Sequence, residues 1–374
     1  MKYVDEFRDA AKCRPLIEKI QQTVTTPRTI MEVCGGQTHG LLAHGIDEAL
    51  RDCVRLLHGP GCPVCVTPAQ IIDHAIQIAA QPDVIITSFG DMLRVPGNGE
   101  SLLECRAAGG DVRMVYSPLD AVRLAQQEPD RQVVFLAVGF ETTLPATALA
   151  VRQASQLMLT NFSLLVSHVR VQPAMELIMQ EPGCLVEGFL AAGHVCAVSG
   201  YQSYRPFVER YRVPVVVTGF EPADLLTGIL ECVELIERQT PDVVNRYERS
   251  VRESGNSAAM ALVREVYEEC DQEWRGIGTI AQGGYQLREA YRDLNASLRF
   301  PIQDLSQQFF DVAASPCRAG DVLTGRIRPS ECEHFGTTCT PHNPLGAPMV
   351  STEGACAAYY RYAPPVSKTE SPLP

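Results

Sequence analysis

The sequence predicts an α/β protein: two similar domains with parallel sheets flanked by helices, followed by a helical and loop-rich C-terminal section. Three observations predict it. Short β-branched runs alternate with helical periodicity from residue 29 to residue 218, the second half of that span is laid out like the first, and after residue 223 long helical stretches give way to a segment rich in Gly, Pro, Thr and Cys. Strand and helix alternation of this kind builds a parallel sheet buried on both faces.

Taken in order, strands are expected over 29–34, 53–58, 84–88 and 112–116, with helices over 68–80 and 101–108 between them. The second set of strands is expected over 133–138, 163–168, either 184–191 or 195–199, and 215–218, with helices over 146–157 and 174–179. Gly139-Phe140-Glu141 and Gly219-Phe220-Glu221 each follow a Val-rich strand, which reads as a shared strand-exit turn. Stretches 225–238 and 243–269 carry charged outer faces and read as bracing helices. Residues 317–362 show little periodicity, and loop-rich sequence of that sort relies on a bound metal to hold its shape. The expected divisions are a first α/β domain over 1–128, a second over 129–222, a helical brace and metal domain over 223–363, and a disordered tail over 364–374.

Composition narrows the function. The chain has 374 residues, and its 32 Lys and Arg against 44 Asp and Glu give a formal charge of -12, which argues against a nucleic-acid partner. No apolar stretch approaches the roughly 18 residues a membrane span needs, and the N-terminus lacks the basic and apolar regions of a signal peptide, so a cytoplasmic protein is expected. Lysine occurs only at Lys2, Lys12, Lys19 and Lys368, which excludes a phosphate-binding G-x-x-x-x-G-K-[ST] loop and lysine Schiff-base chemistry alike. Fourteen cysteines in such a chain read as metal or redox ligands rather than as a disulfide framework.

Three cysteine constellations stand out. Cys317, Cys332, Cys339 and Cys356 are spaced C-x14-C-x6-C-x16-C, and four thiolates ligate either one zinc or an iron-sulfur cubane. Wide unequal spacing without tight knuckles favours the cluster. In the run GPGCPVC over 59–65, Cys62 and Cys65 form a C-x-x-C pair able to close a disulfide and exchange electrons, although half of a zinc site looks the same. In MEVCGGQTHG over 31–40, Cys34 ends a strand, Gly35 and Gly36 allow a tight turn, and a helix is expected to start near Thr38. That puts the thiol at the carboxyl edge of the sheet, where helix-start amides would favour the thiolate and an anionic ligand beside it. His39 would be a second ligand or proton donor, against the plainer role of capping the turn. Ser88 to Met92, Glu141, Thr142, Thr143, His168 and His194 also sit at strand ends and could line one cleft. The other cysteines, Cys13, Cys53, Cys105, Cys184, Cys196, Cys232 and Cys270, lie in apolar or helical surroundings and read as small hydrophobes.

Six motifs, EVCGGQTH over 32–39, GPGCPVCVTP over 59–68, FGDMLRVPG over 89–97, YSPLD over 116–120, GFETT over 139–143 and EGACAAYY over 353–360, together resemble the HypD family of nickel-iron hydrogenase maturation proteins. The resemblance runs in order from about residue 29 to residue 362. It implies two similar α/β domains and a third carrying a 4Fe-4S cluster held by Cys317, Cys332, Cys339 and Cys356. It further implies a cytoplasmic complex with the small chaperone HypC, on which Fe(CN)2CO is assembled as transient cargo with cyanide delivered through HypE. Cys34 would be the iron-binding thiolate with His39 close by, Cys62 and Cys65 an electron-relaying dithiol, and Gly35, Gly36, Glu141, Thr142 and Thr143 the border of the site. Such a protein is a scaffold with redox capacity rather than a turnover enzyme. The chain departs from many relatives at Cys317-Arg318-Ala319, where they carry C-x-C, and at Gly346-Ala347-Pro348-Met349, where they carry a further cysteine. The residues alone leave two rivals: a dithiol-disulfide oxidoreductase acting on a partner protein, and a zinc-stabilised binding module.

Overall fold

The computed structural model describes residues 5–302 and 316–362. Its strands, in chain order, are β1 Arg28–Glu32, β2 Val54–His58, β3 Val84–Ser88, β4 Val112–Met114, β5 Gln132–Gly139, β6 Phe162–Val169, β7 Gly188–Ala192, β8 Val215–Thr218, β9 Val243–Asn245, β10 Tyr267–Trp274 and β11 Gly278–Leu287. Runs such as Val-Ile-Ile-Thr-Ser in β3 are buried at every position, as expected of strands covered on both faces. The α/β class and the paired parallel sheets agree with the sequence. Among the described residues no helix is long and apolar enough to cross a membrane.

One sheet has the order β2-β1-β7-β8-β9, all parallel; the other has the order β10-β11-β6-β5-β3-β4. Strands β4-β3-β5-β6 of the second sheet are parallel and repeat the arrangement β2-β1-β7-β8 of the first. Both gather their strands from distant parts of the chain, so a boundary at residue 128 does not separate the sheets. The similarity of the two halves is real, but the chain crosses from one sheet to the other after β2, β6 and β9. Short parallel strands carry no local mark of which neighbour they will take, and this is why sequence order and sheet membership diverge.

Three further expectations need correction. The stretch 195–199 is not a strand: Gly193–Ser199 is a helix, and β7 precedes it, beginning only at Gly188. The helix after Cys34 starts at Gly35 rather than near Thr38, and Cys34 is its N-cap. The expected helix over 243–269 divides into β9, a helix over Ser257–Val266 and the first part of β10. In β10 the sequence Tyr-Glu-Glu-Cys-Asp-Gln-Glu-Trp buries both aromatic ends and alternates between them, a strand period that its charge disguises. Gly276, at φ +78°, lets it turn back into β11, and the hairpin extends the second sheet antiparallel to β6. The helix expected over 225–238 is present as Pro222–Glu237 and packs on the helix Ala10–Thr23. The expected disordered tail over 364–374 lies outside the described residues.

Candidate functional site

In each sheet the chain leaves two neighbouring strands in opposite directions, making a crevice at their carboxyl ends where open α/β sheets bind ligands. In the first sheet the crevice lies between β1 and β7. Cys34 follows β1, and His194 follows β7 on the helix Gly193–Ser199. In the second it lies between β3 and β5, whose exits carry Phe89-Gly90-Asp91 and Gly139-Phe140-Glu141-Thr142-Thr143. The motifs that stand out in the sequence therefore sit at two equivalent places.

At the first crevice the Cys34 Sγ is 2% exposed and 3.8 Å from both ring nitrogens of His194. His194 keeps one side open to solvent and stacks on Phe220, with ring centroids 5.0 Å apart. Desolvation by that packing lowers its pKa from the ordinary imidazole value, favouring the neutral ring that can take a proton. Cys34 departs from expectation. Burial pushes its thiol well above the ordinary range, Glu32 and Glu353 add to the rise, and the amides of Gln37 and Gly36 oppose it without prevailing. The depressed pKa expected at a helix start is reversed because desolvation outweighs two amide dipoles. A cation brought to the sulfur would favour the thiolate.

Three segments close on the turn. Gly61 packs so tightly on Cys34 and Val33 that a Cβ would overlap their backbone, and Gly61 O accepts the Gly35 N–H at 3.0 Å. Gly35 in turn leaves no room for a Cβ against the backbone of Glu353. A Cβ on Gly36 would meet the Phe220 ring at 3.2 Å. The C-x-x-C pair is a disulfide, Cys62–Cys65, at the start of the short helix Pro63–Val66, with both cysteines buried. His39 lies on the other side of its helix, its Nε2 2.7 Å from the Tyr362 hydroxyl, and the imidazole found against Cys34 is that of His194.

At the second crevice Glu141 is 7% exposed. Its Oε1 accepts the Val171 N–H at 3.1 Å, and Oε2 has no partner among the described residues. Thr143 Oγ1 stands 3.1 Å from His168 Nε2, and Thr142 is half-buried in the same turn. Cys34, Phe140 and Cys196 belong to one buried cluster, so the two crevices share an apolar floor. Burial raises Glu141 from 4.5 to about 7. The carboxyl is neutral in folded and unfolded chains below pH 4.5, while between 4.5 and 7 only the unfolded chain ionises freely, so stability falls as pH rises through that window. The expected loss is on the order of 3 kcal/mol. In urea unfolding across pH 4.5–8 the native chain should lose stability by that amount relative to Glu141→Gln, a difference that isolates Glu141 from buried His168, whose lowered pKa acts in the opposite sense. An equal decline in the variant would refute the assignment.

Cys317, Cys332, Cys339 and Cys356 line one small pocket with the apolar Val322, Phe335, Leu345 and Met349, and Arg318 and His334 also border it. No carboxylate lines it, and the Cys356 thiol is driven up by burial and by its three sulfur neighbours. Among the described residues no group of three His, Cys, Asp or Glu side chains stands ready to hold a single metal ion. Four thiols facing one apolar space are nevertheless a donor set suited to an iron-sulfur cluster. The helix Ala347–Val350, which contributes Met349 to this pocket, packs on Pro63–Val66, and the helix Ala355–Tyr362 packs on Gly35–Ala43. The cysteine pocket, the disulfide and Cys34 are thus built on touching elements.

Sequence reasoning gave no individual role to Glu32, His58 or Tyr359. The signal for the first was present: a carboxyl group interrupting the otherwise apolar end of a buried strand. Comparison with known proteins identifies sequence relatives over nearly the whole chain. The family model for HypD, described as the hydrogenase formation hypA family, matches residues 11–363. The chain is 44% identical over 370 residues to the hydrogenase maturation factor HypD of Rhodobacter capsulatus, covering 97% of this chain and 98% of that one. It is 45% identical over 371 residues to HypD of Azotobacter vinelandii, covering 97% of each, and 42% over 372 residues to that of Escherichia coli K12, covering 97% and 98%.

Proposed function

This chain belongs to the HypD family of hydrogenase maturation factors, and from that premise we propose that it is the scaffold on which the Fe(CN)2CO group of a nickel-iron hydrogenase is assembled. In this reading it works in the cytoplasm in complex with HypC and receives cyanide by way of HypE. The observation that carries the reading is Cys34, a thiol at a strand exit in a sheet crevice with an imidazole 3.8 Å away. Iron bearing two cyanides is low-spin and soft, which suits a thiolate ligand. As the iron arrives, the thiol proton must leave, and His194 is the base within reach. The helix-start amides of Gly36 and Gln37 favour negative charge at the sulfur, which suits the anionic cyanide ligands of the cargo.

Cys317, Cys332, Cys339 and Cys356 would hold a 4Fe-4S cluster, and the shared apolar pocket supports that assignment. When bound, such a cluster supplies single electrons at low potential. Opening the Cys62–Cys65 disulfide takes two electrons and two protons and leaves two thiols beside the Cys34 turn. Burial of both sulfurs does not favour the rival reading, in which this pair attacks a partner protein's disulfide.

The test is anaerobic purification of the chain alone and with HypC. Metal and acid-labile sulfide analysis of the chain should give about four iron and four sulfide, and the complex should show cyanide and carbonyl stretching bands in the infrared. A complex that forms with its cluster intact yet shows no such bands removes the scaffold reading. One zinc and no sulfide removes the cluster.

A further inference from the structure

We infer that Glu32 is the positioning residue of the Cys34 turn and that, through His58 and Tyr359, it ties this turn to the helix that carries Cys356. Glu32 is the last residue of β1 and is 0% exposed. A carboxyl group is among the costliest side chains to bury, and an apolar residue would serve packing better. Its neighbours explain it. One oxygen, Oε2, accepts the Cys34 N–H at 2.7 Å, while Oε1 accepts both the Thr38 hydroxyl and the His58 Nδ1–H, the latter at 2.7 Å. A single group therefore fixes the strand exit, the first turn of the following helix and the end of β2.

His58 is the register partner of Glu32 in the parallel pair β1 and β2, which presents the two side chains to one another. The far nitrogen of His58 stands 3.2 Å from the Tyr359 hydroxyl, and the rings meet edge to face at 5.2 Å. Tyr359 is buried on the helix Ala355–Tyr362, three residues beyond Cys356 and so on a neighbouring face of the same helix. The path from the Cys34 amide to the Cys356 helix is continuous: carboxyl, imidazole, phenol. The seating of that helix and the geometry of the Cys34 turn are consequently one property.

The test uses Glu32→Gln and Tyr359→Phe with two readouts. Glutamine keeps one acceptor oxygen and turns an NH2 on the remaining donors, leaving at least one unpaired. Amide hydrogen exchange of the chain alone should quicken about tenfold over residues 34–38 in Glu32→Gln and about threefold in Tyr359→Phe, with β8 unchanged. Unchanged exchange in Glu32→Gln overturns the positioning role, and a change there without one in Tyr359→Phe overturns the tie to the helix. Should Glu32→Gln fail to fold, Thr38→Val removes one of its donors and Tyr359→Phe only a hydroxyl, and both remain decisive. The second readout rests on the proposed function: in the complex with HypC, Glu32→Gln should shift the cyanide and carbonyl bands. Native bands with no shift in the variant overturn the functional part of the inference. Absence of bands from the native complex counts against the scaffold reading instead, while hydrogen exchange still decides the positioning role.

Discussion

Replacing Cys34 by alanine should abolish the cyanide and carbonyl bands of the complex with HypC while leaving the fold in place. The two effects differ in scale. Removing a buried sulfur costs on the order of 1 kcal/mol in packing, whereas on the proposed reading it also removes the soft ligand that would hold the iron. Serine separates ligand chemistry from shape, because it nearly keeps the size of the side chain but offers a hard oxygen; Cys34→Ser should also lose the bands. The control is Cys196→Ala. Cys196 is 0% exposed and lies in the same apolar cluster as Cys34, so its loss should carry a similar packing cost and leave the spectrum intact. Infrared spectra of the three complexes, each checked for HypC binding, decide the matter. Persistence of the bands in Cys34→Ala would sink the role given to that thiol.

The second large effect is steric. A methyl group on Gly61 would overlap the nitrogen and Cα of Cys34 and the carbonyl carbon of Val33, all of them backbone atoms. No rotamer change can relieve that. Either β1 or the loop before the disulfide must move, and the hydrogen bond from Gly35 N–H to Gly61 O goes with it. Gly61→Ala should cost roughly 3 kcal/mol or more, at the upper end for overpacking. Gly36→Ala is the milder companion, since its methyl would meet a Phe220 ring at 3.2 Å that has some room to turn. Thermal unfolding of both variants should rank Gly61→Ala well below Gly36→Ala. Equal midpoints would mean that the loop is not packed on the Cys34 turn as described.

Much of this site was legible in the sequence because strand exits are written locally. A short β-branched or apolar run that ends beside a glycine marks the carboxyl edge of a sheet, and this places Cys34, Asp91 and Glu141 at strand exits. What meets across an edge is not local. His39 is five residues from Cys34, yet helical geometry carries it to Tyr362, and the histidine that reaches the sulfur is His194, on the helix that follows β7. The hairpin β10–β11 was hidden for another reason. Its alternating acidic residues resemble the solvated face of a helix, and only the buried Tyr267 and Trp274 at its ends reveal a strand. The Cys34 thiol departs from the sequence expectation because helix amides are visible in a sequence and depth of burial is not.

The interlacing of the two sheets also governs how the molecule comes into being. Strands β3 to β6 are consecutive and pair among themselves, so a nascent chain can assemble that half while synthesis continues. The pair β1 and β2, although made first, must wait for β7, because Ile30 pairs with Gly188. The crevice that holds Cys34 is therefore completed late on the ribosome, and the helix that seats against it later still. An unfinished polypeptide has the thiol but not the cradle, so on the proposed reading it would have no site at which to hold iron before the protein is whole.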